Sequence, residues 1–472
     1  MKTIALIAML AVFASRAFSA DSPASAARPN VLFIAVDDLR DWVGYHGQNR
    51  QTITPNFDRL AARGMAFTRA YCAAPACNPS RAALMSGLRP STTGVYNNDN
   101  DWRPHISPDL TLVTTMQRAG YETLAAGKIY HGGFDRKSEW NNYAQKEKKD
   151  PLPTGNDRGV GKLKFSPLDC SDDAMQDAGI ANYGVEQLSR RHDQPFFLCV
   201  GFHKPHIPWT VPQKYYDLHP LDKIELPPIL AGDLDDVPAE GAAMSHQNQD
   251  HENILKSGRW KEAVRAYLAT ISFVDAMLGR VIDALDRSQA KDNTIVILWS
   301  DHGWSLGEKE HWRKFALWEE PTRSPFIVIA PGLTQPGTYC DRPIDFMTIY
   351  PTVTDLCGIP TPAHVEGKSL RPLLANRAAK WVEPAVMTWE FNNHAVRADG
   401  WRYIHYAGGG EELYDETADP NEWHNLAADP SYAAKKSELA KWLPTKNAPE
   451  VTRAGTPDSD GDSNVKTKIP KK

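Results

Sequence analysis

The strongest constraint on the fold of this chain is the alternation of short apolar runs with amphipathic helical stretches between about residues 31 and 360. Such runs are typical of strands buried on both faces of a sheet, and they lie at residues 31–36, 121–126, 196–200, 294–299 and 326–329. Helical patterns lie between them, at residues 55–63, 110–119 and 260–287. The alternation predicts an α/β fold in which a large, mostly parallel sheet is flanked by helices.

The pattern changes after about residue 381. Short strand-like segments follow, joined by turns such as Asp399-Gly400, and then a helical stretch near residues 433–442. We therefore expect a main domain over residues 27–380 and a smaller C-terminal antiparallel sheet subdomain over residues 381–446. From residue 447 the chain is polar and ends in a lysine-rich run, which predicts a disordered tail over residues 447–472.

The N-terminus has the pattern of a secretory signal peptide. Lys2 is followed by an apolar run over residues 4–13 and then by small residues, with plausible cleavage sites after Ser19 and Ala26. We expect residues 1–26 to be removed, with cleavage somewhere in residues 19–26, and the protein to be exported to the periplasm or the cell exterior. No later segment is long and apolar enough to predict a membrane span.

Charge and cysteine content exclude two classes of protein. The 53 Lys and Arg against 58 Asp and Glu give a net charge of −5, so the composition does not favour a nucleic-acid partner. Six cysteines are too few for a disulfide scaffold in an exported chain of 472 residues. A pairing of Cys340 with Cys357 stays open at this point, and Cys199 in an apolar run is typical of a core residue.

The segment Cys77-Asn78-Pro79-Ser80-Arg81 follows a strand-like run and opens a helical run over residues 80–86, closed by Gly87. A cysteine at this position lies near a helix N-terminus, where backbone N–H groups favour an anion. Arg81 is placed on the same side of the first helical turn. The segment therefore predicts a catalytic Cys77 nucleophile beside an anion site, although an ordinary turn cysteine is the simpler alternative.

Acidic residues follow two of the predicted strands directly. Asp37 and Asp38 come after residues 31–36, and Asp301 and His302 come after residues 294–299. Ligands bind beyond the carboxyl ends of the strands in open α/β sheets, so these four residues predict one metal site if their strands are neighbours. Oxygen ligands favour calcium, whereas the His302 imidazole would suit a transition metal or contact a bound anion instead.

Basic residues follow the other strands. Lys128 and His131 come after residues 121–126 and are placed to bind an anionic group, although each alone is also consistent with a surface position. His206 lies in a proline-rich loop after residues 196–200, which suits a general acid held in place, or a loop histidine bonded to backbone. Lys314 follows Asp301 by thirteen residues and is placed to reach back over the site, as are Lys309 and Arg313.

Together these segments resemble the sulfatase family of the alkaline phosphatase superfamily. The resemblance covers nearly the whole mature chain in the right order, and it is strongest to the iduronate 2-sulfatase branch of the family. The chain differs from the family pattern where Lys309-Glu310-His311 replaces an expected glycine-containing turn. The matching segments are residues 30–40, 77–81, 127–131, 203–208 and 301–308.

The resemblance implies a role for each polar residue of the set. A formylglycine-generating enzyme would oxidise Cys77 to formylglycine during maturation. A calcium ion would be bound by the formylglycine oxygen and by the strand-end residues Asp37, Asp38, Asp301 and His302. Arg81 would stabilise the formylglycine hydrate and His206 would protonate the leaving group, while Lys128, His131 and Lys314 would bind sulfate oxygens. Trp102 lies in residues 96–103, which resemble a substrate-side loop.

The implied activity is hydrolysis of a sulfate ester on a sugar or polysaccharide fragment. The likeness to the iduronate 2-sulfatase branch favours a 2-O-sulfated uronic acid. One alternative is a phosphoester or phosphonate hydrolase of the same superfamily, since some members with the same cysteine signature act on phosphorus. The other is a catalytically inactive carbohydrate-binding homologue.

Overall fold

The computed structural model describes residues 28–144, 149–154, 158–246 and 248–453. Its strands are β1 (Asn30–Asp37), β2 (Met65–Phe67), β3 (Ala70–Tyr71), β4 (Glu122–Gly127), β5 (Asn142–Tyr143), β6 (Phe196–Pro205), β7 (Thr294–Ser300), β8 (Ser305–Leu306), β9 (Trp312–Arg313), β10 (Phe326–Ile329), β11 (Thr338–Cys340), β12 (Ile344–Asp345), β13 (Ala385–Thr388), β14 (His394–Ala398), β15 (Trp401–His405) and β16 (Glu411–Asp415). Its α-helices are α1 (Pro55–Ala61), α2 (Cys77–Ser86), α3 (Pro90–Thr93), α4 (Leu112–Arg118), α5 (Gln176–Ser189), α6 (Gln213–Asp217), α7 (Ala239–Ser245), α8 (Asp250–Ser257), α9 (Trp260–Arg287), α10 (Glu319–Thr322), α11 (Ile349–Leu356), α12 (Arg371–Ala375) and α13 (Ala433–Ala440).

The main sheet has eight strands in the order β11-β2-β10-β7-β1-β6-β4-β5. The strands from β7 to β5 run parallel to one another, and β11 is parallel to β2. Only β10 is antiparallel to both of its neighbours in this sheet. The predicted α/β fold with a large, mostly parallel sheet is therefore confirmed.

The central strand β1 shows why the sheet is covered on both faces. Its fully buried side chains alternate between two cores, because successive side chains of a strand point to opposite faces. Val31, Phe33 and Ala35 pack in the core that includes side chains of α2, α4 and α11. Residues 32, 34 and 36 pack in the other core, with side chains of α1, α5 and α9. The sheet is the middle layer between two sets of helices.

The four strands β13-β14-β15-β16 form a separate antiparallel sheet, which confirms the smaller C-terminal sheet. Met387 and Ile404 face the core that contains α2, α4 and α11. Val396 and Leu413 face the other way and pack with Leu439 of α13. The small sheet is thus covered on both faces, on one side by the main domain and on the other by α13.

The predicted disordered tail begins too early. Ala448 N donates to Ser91 O over 2.7 Å, and Val451 N donates to Gly94 O over 2.9 Å. The polar composition is misleading for residues 447–453, because backbone hydrogen bonds to residues 91 and 94 hold this part of the segment in place. Residues 454–472 and the predicted signal peptide lie outside the described residues, so their disorder and the export of the protein stay predictions.

All six cysteines lie within the described ranges, and none of them forms a disulfide. Cys340 and Cys357 are both buried free thiols, which answers the pairing left open by the sequence. Among the helices of the described ranges, none combines the length and apolar character that a membrane crossing requires.

A buried ion cluster fastens the small sheet to the main domain. The Arg402 side chain of β15 has no exposed surface, and its Nη1 donates to Leu317 O over 2.7 Å. Its Nε lies 2.5 Å from Glu422 Oε1, and its Nη2 pairs with Glu319 of α10. Because the surrounding carboxylates are buried as well, each depends on a cationic partner for its stability.

Replacing Arg402 by methionine should lower the free energy of unfolding by about 3–5 kcal/mol, because the buried Glu319 carboxylate loses one of the cations that keep its pKa low. Urea unfolding followed by circular dichroism measures this change. Arg371→Met is a matched control, since Arg371 is 50% exposed and lies 3.7 Å from Asp355, and it should cost less than about 1 kcal/mol. Equal losses in the two variants would contradict a fastening role for Arg402.

Candidate active site

Cys77 is the first residue of α2, after Ala76 in extended conformation (φ −156°). The Cys77 side chain is fully buried. The helix ends at Ser86 and is capped by Gly87, which has a left-handed backbone with φ 72°. Three polar groups surround the Cys77 sulfur: Lys314 Nζ at 3.0 Å, His302 Nε2 at 3.3 Å and Asp38 Oδ1 at 3.7 Å. The helix therefore begins three residues earlier than predicted, and Cys77 lies at its N-terminal end among the predicted site residues.

The acidic residues meet because their strands are neighbours. In the register of the sheet, Val36 of β1 pairs with Ser300 of β7, and β1 has a register shift just before Asp37. Asp38 then adopts a left-handed backbone (φ 58°), and its N–H donates to Asp301 Oδ1 over 3.1 Å. Such strain in a non-glycine residue is typical of functional sites. The predicted convergence of the strand-end acids is what the structure shows.

Arg81 connects helix α2 to three strand ends. Its side chain is fully buried, with Nη2 3.0 Å from Asp37 Oδ1 and Nε 2.8 Å from Asp301 Oδ2. Its Nη1 donates to the backbone carbonyls of Lys128 and Ile129. Arg81 thus holds the two carboxylates in fixed positions beside Cys77.

Lys128 reaches the site through a close approach of two strands. Gly127 of β4 pairs with Gly201 of β6, and Lys128 N donates to Gly201 O over 2.8 Å. A Cβ atom on Gly201 would lie 2.3 Å from Lys128 O, so no other residue fits at this point. From this position Lys128 Nζ donates to Asp37 Oδ2 over 2.7 Å.

Lys314 is delivered by a strained segment. Lys309, Glu310, Arg313 and Phe315 all have positive φ, between 47° and 78°, although none is glycine. At residues 309–311, where the chain departs from the family pattern, Lys309 and Glu310 thus adopt a left-handed backbone in place of the expected glycine. Lys314 Nζ donates to Asp38 Oδ1 over 2.9 Å, and this lysine is the one that reaches Cys77.

The two other candidates for this role are engaged elsewhere. Lys309 Nζ donates to Asp233 Oδ1 over 2.8 Å, and Arg313 Nε donates to Asp250 Oδ2 over 2.6 Å. Both side chains are buried in these ion pairs. The alternatives that the sequence left open at positions 309 and 313 are therefore wrong.

His206 directly follows β6 and is 6% exposed. Its Nδ1–H donates to the Ile207 carbonyl over 2.6 Å, which turns Nε2 towards Asp38, 3.7 Å from Oδ2. Burial acts to lower the pKa of His206, but the Asp38 carboxylate outweighs it and raises this pKa to about 9. The imidazole is thus protonated at neutral pH and is able to donate a proton.

His131 and Trp102 are both 1% exposed. The His131 ring packs 6.1 Å from the Phe134 ring, after the end of β4. The Trp102 ring stacks on the Tyr130 ring with a centroid distance of 4.7 Å. The Arg136 guanidinium lies 4.4 Å from the centroid of the Trp102 ring. Their predicted contacts with substrate stay predictions.

Burial and charge set the ionisation of the other groups. Burial opposes ionisation of Asp37, but the charges of Lys128 and Arg81 outweigh it and hold the pKa of this carboxyl well below its usual range. Burial raises the pKa of Asp38, since His206 and Lys314 offset only part of this effect. Burial also raises the pKa of the Cys77 thiol well above its usual value. The unmodified thiol is therefore uncharged and a weak nucleophile.

The donor set fits a metal ion. Asp38 Oδ2 is buried and accepts no hydrogen bond from the part of the chain that the structure describes. Carboxylates are three of the six donor residues, and carboxylate oxygen is the ligand that a hard cation such as calcium prefers. The potential ligand atoms lie within 4.8 Å of one another in two overlapping groups, Asp37, Asp38, Cys77 and His206, and Asp38, Cys77, Asp301 and His302.

The sequence did not reveal the residues that support the site from behind. Tyr267, in the middle of α9, donates its OH to Asp38 O over 2.8 Å. Ser80 Oγ donates to the Asp301 carbonyl over 2.5 Å, and Ser300 Oγ accepts the Leu39 N–H. Ser80 lies within the quoted 77–81 motif, whereas nothing in the local sequence distinguishes the tyrosine.

Comparison with protein families and known proteins defines the class of this site. The sulfatase family model matches residues 29–359, and the model for the N-sulphoglucosamine sulphohydrolase C-terminal region matches residues 307–448. The chain is 40% identical over 446 residues to a sulfatase from Formosa agariphila, covering 89% of this chain and 87% of that protein. The chain belongs to the sulfatase family and is a sulfuric ester hydrolase.

Two further relatives act on sulfated uronic acids by name. The Delta 4,5-hexuronate-2-O-sulfatase of Bacteroides thetaiotaomicron is 31% identical, with 86% of each chain covered. The iduronate 2-sulfatase of Homo sapiens is 29% identical, covering 71% of this chain and 70% of that protein. The predicted likeness to iduronate 2-sulfatase within the family is therefore confirmed.

Solved structures share the fold. A 2-O GAG sulfatase superposes with a TM-score of 0.70 at 26% identity, covering 88% of this chain and 90% of that one. The phosphonate monoester hydrolase of Agrobacterium radiobacter superposes with a TM-score of 0.76 at 23% identity, covering 88% and 94%. The second likeness extends to the fold alone.

Gly201→Ala should lower kcat/KM for an aryl sulfate about 100-fold, because the added Cβ displaces the backbone of Lys128 and so moves its Nζ away from Asp37. Steady-state kinetics measure the loss, and the melting temperature verifies that the variant is folded. Gly184→Ala in α5 is the matched control, since its Cβ would approach no closer than 3.2 Å, to Val200 Cγ2. Full activity of a folded Gly201→Ala variant would contradict this account of how Lys128 is positioned.

Proposed function

We propose that this protein removes sulfate from a sulfated sugar or polysaccharide fragment with a formylglycine derived from Cys77 and a bound calcium ion. The observation that carries the proposal is the position of Cys77, fully buried at the start of α2 with Lys314, His302 and Asp38 within 3.7 Å of its sulfur. A carbohydrate substrate is consistent with the sulfatases of sugars among its relatives.

Asp37, Asp38, Asp301 and His302 would hold the calcium ion, together with the oxygen of the modified Cys77. Calcium bound there supplies positive charge that polarises a sulfate oxygen. The residues support this assignment because they bring three buried carboxylates together and leave Asp38 Oδ2 without a hydrogen bond from the described residues.

Cys77 needs modification to serve as the nucleophile, because burial keeps its thiol uncharged. Formylglycine would supply a hydrated aldehyde with two hydroxyls. One would lose its proton and bond to sulfur as the bond from sulfur to the sugar oxygen breaks, and loss of the proton of the other would expel sulfate as the aldehyde re-forms. An unmodified Cys or a Ser has no second hydroxyl with which to expel sulfate in this way. The proposal therefore includes a formylglycine-generating enzyme as a partner during maturation.

Three cationic side chains stabilise the charge that develops on the sulfate oxygens. Lys314 lies 3.0 Å from the Cys77 sulfur and is placed to contact a sulfate oxygen directly. Lys128 and Arg81 both bond to the carboxylate of Asp37. His131 follows Lys128 along the chain and would bind a further sulfate oxygen.

His206 donates the proton that the departing sugar oxygen needs. The imidazolium carries a proton on each ring nitrogen; the Ile207 carbonyl holds Nδ1–H, so the proton on Nε2 is the one that faces the site. A sugar alkoxide is a poor leaving group, and protonation by a fixed general acid typically contributes about 10²–10⁴-fold to the rate of such a step.

A 2-O-sulfated uronic acid is the substrate class that the relatives favour, and Trp102 lies in the loop proposed to face it. The rival function is hydrolysis of a phosphoester or phosphonate, which the fold alone also permits. The sulfatase relatives at up to 40% identity favour sulfate.

Cys77→Ala and Cys77→Ser should both reduce turnover of an aryl sulfate to background, because neither side chain is converted to formylglycine. Rates on the aryl sulfate and on the matching aryl phosphate, measured with the unmutated protein, test the choice of ester. A higher kcat/KM on the phosphate would favour the rival function, and full activity of either variant would contradict the proposed nucleophile.

His206→Gln should lower kcat on a sugar sulfate about 10²–10⁴-fold. The loss on 4-nitrophenyl sulfate should be much smaller, because nitrophenolate leaves without a proton. His203→Gln is the matched control from the adjacent end of β6, since the His203 side chain is 31% exposed and its Nδ1 lies 3.5 Å from Asp177 Oδ1. Equal losses on both esters would show that His206 does not act as the general acid.

A further inference from the structure

Asn78, directly after Cys77, has one polar atom that the protein does not use. Its Nδ2 donates to Asn97 O over 2.9 Å and to Asn100 O over 2.7 Å, which fixes the orientation of the amide. Its Oδ1 is buried and accepts no hydrogen bond within the described ranges. The residue is 1% exposed, so this acceptor is shielded from bulk solvent.

Asn98 has the complementary atom. Its Oδ1 accepts the backbone N–H of Asn78 over 3.0 Å, in the first turn of α2, so its amide is also fixed in orientation. Its Nδ2 is buried and donates no hydrogen bond to any residue that the structure describes. At 2% exposure, Asn98 presents an unused donor beside the residue that presents the unused acceptor.

The loop that carries Asn98 is held in place from the other side. Asn100 Oδ1 accepts the N–H groups of Tyr96 and Asn97, over 2.9 and 2.7 Å. Asn100 Nδ2 donates to Val451 O over 2.9 Å, and Asn97 Nδ2 donates to Glu450 Oε1 over 2.7 Å. Residues 450 and 451 therefore hold this loop in place, and the unused donor of Asn98 belongs to a loop fixed by hydrogen bonds.

A single hydroxyl group satisfies both atoms, because it has one O–H to donate and lone pairs to accept with. Resting on the proposed function, we propose that Asn78 Oδ1 and Asn98 Nδ2 bind one free hydroxyl of the sugar that carries the scissile sulfate. Asn78 follows Cys77 in the chain, and Asn98 accepts the backbone N–H of Asn78, so the recognised hydroxyl would lie near the residue proposed as the nucleophile. On a 2-O-sulfated uronic acid it is the hydroxyl at C3.

Asn98→Asp separates this contact from the support of the helix. The variant keeps an Oδ1 acceptor for the Asn78 N–H but loses the Nδ2 donor. It should lower kcat/KM for the methyl glycoside of 2-O-sulfated iduronate about tenfold or more. It should change kcat/KM little for the 3-deoxy analogue of this sugar and for 4-nitrophenyl sulfate. Asn142→Asp is the matched control, because Asn142 is exposed and its Oδ1 can still accept from Tyr183 OH.

The unmutated protein gives a second test that does not depend on folding of a variant. It should prefer the hydroxyl-bearing sugar over the 3-deoxy analogue by at least the factor that Asn98→Asp loses, because the analogue lacks both contacts. Equal turnover of the two sugars, or an equal loss on all three substrates in Asn98→Asp, would overturn the proposal and leave these atoms to a buried water or a structural role. Failure of the proposed function is distinct, since the unmutated protein would then hydrolyse none of the three sulfate esters.

Discussion

The structure of the site depends on one buried guanidinium, that of Arg81. It bonds the carboxylates of Asp37 and Asp301 and the backbone at the end of β4, so a single side chain of the nucleophile helix fixes the ends of three strands. Its own burial is tolerable only because both carboxylates are paired with it, and they in turn depend on it. The position of Cys77 relative to the strand ends follows from this arrangement.

Charge balance explains how so many ionised groups are buried together. The carboxylates of Asp37, Asp38 and Asp301 lie among four cationic side chains, those of Arg81, Lys128, Lys314 and the protonated His206. A divalent cation and a singly charged sulfate ester would enter this site together, and each would offset part of the charge that the other brings. Substrate, metal and protein charges therefore support one another, whereas each alone would be costly to bury.

The sequence predicts the centre of the site better than its edges. Asp37, Asp38, Asp301 and His302 follow apolar strands directly, and parallel strands bring such residues to one edge of a sheet. Lys314 was ambiguous, because its approach depends on left-handed residues at positions 309–315 that carry no glycine signal. The contacts of residues 448–453 escaped prediction, because they join segments far apart in the sequence and leave no periodic pattern.

Peptide mass spectrometry of residue 77 in the active protein tests the central claim most directly. The account predicts a mass decrease corresponding to conversion of the thiol side chain to an aldehyde, in proportion to the specific activity of each preparation. A preparation that hydrolyses sulfate esters at full rate while Cys77 retains an unmodified thiol would contradict it.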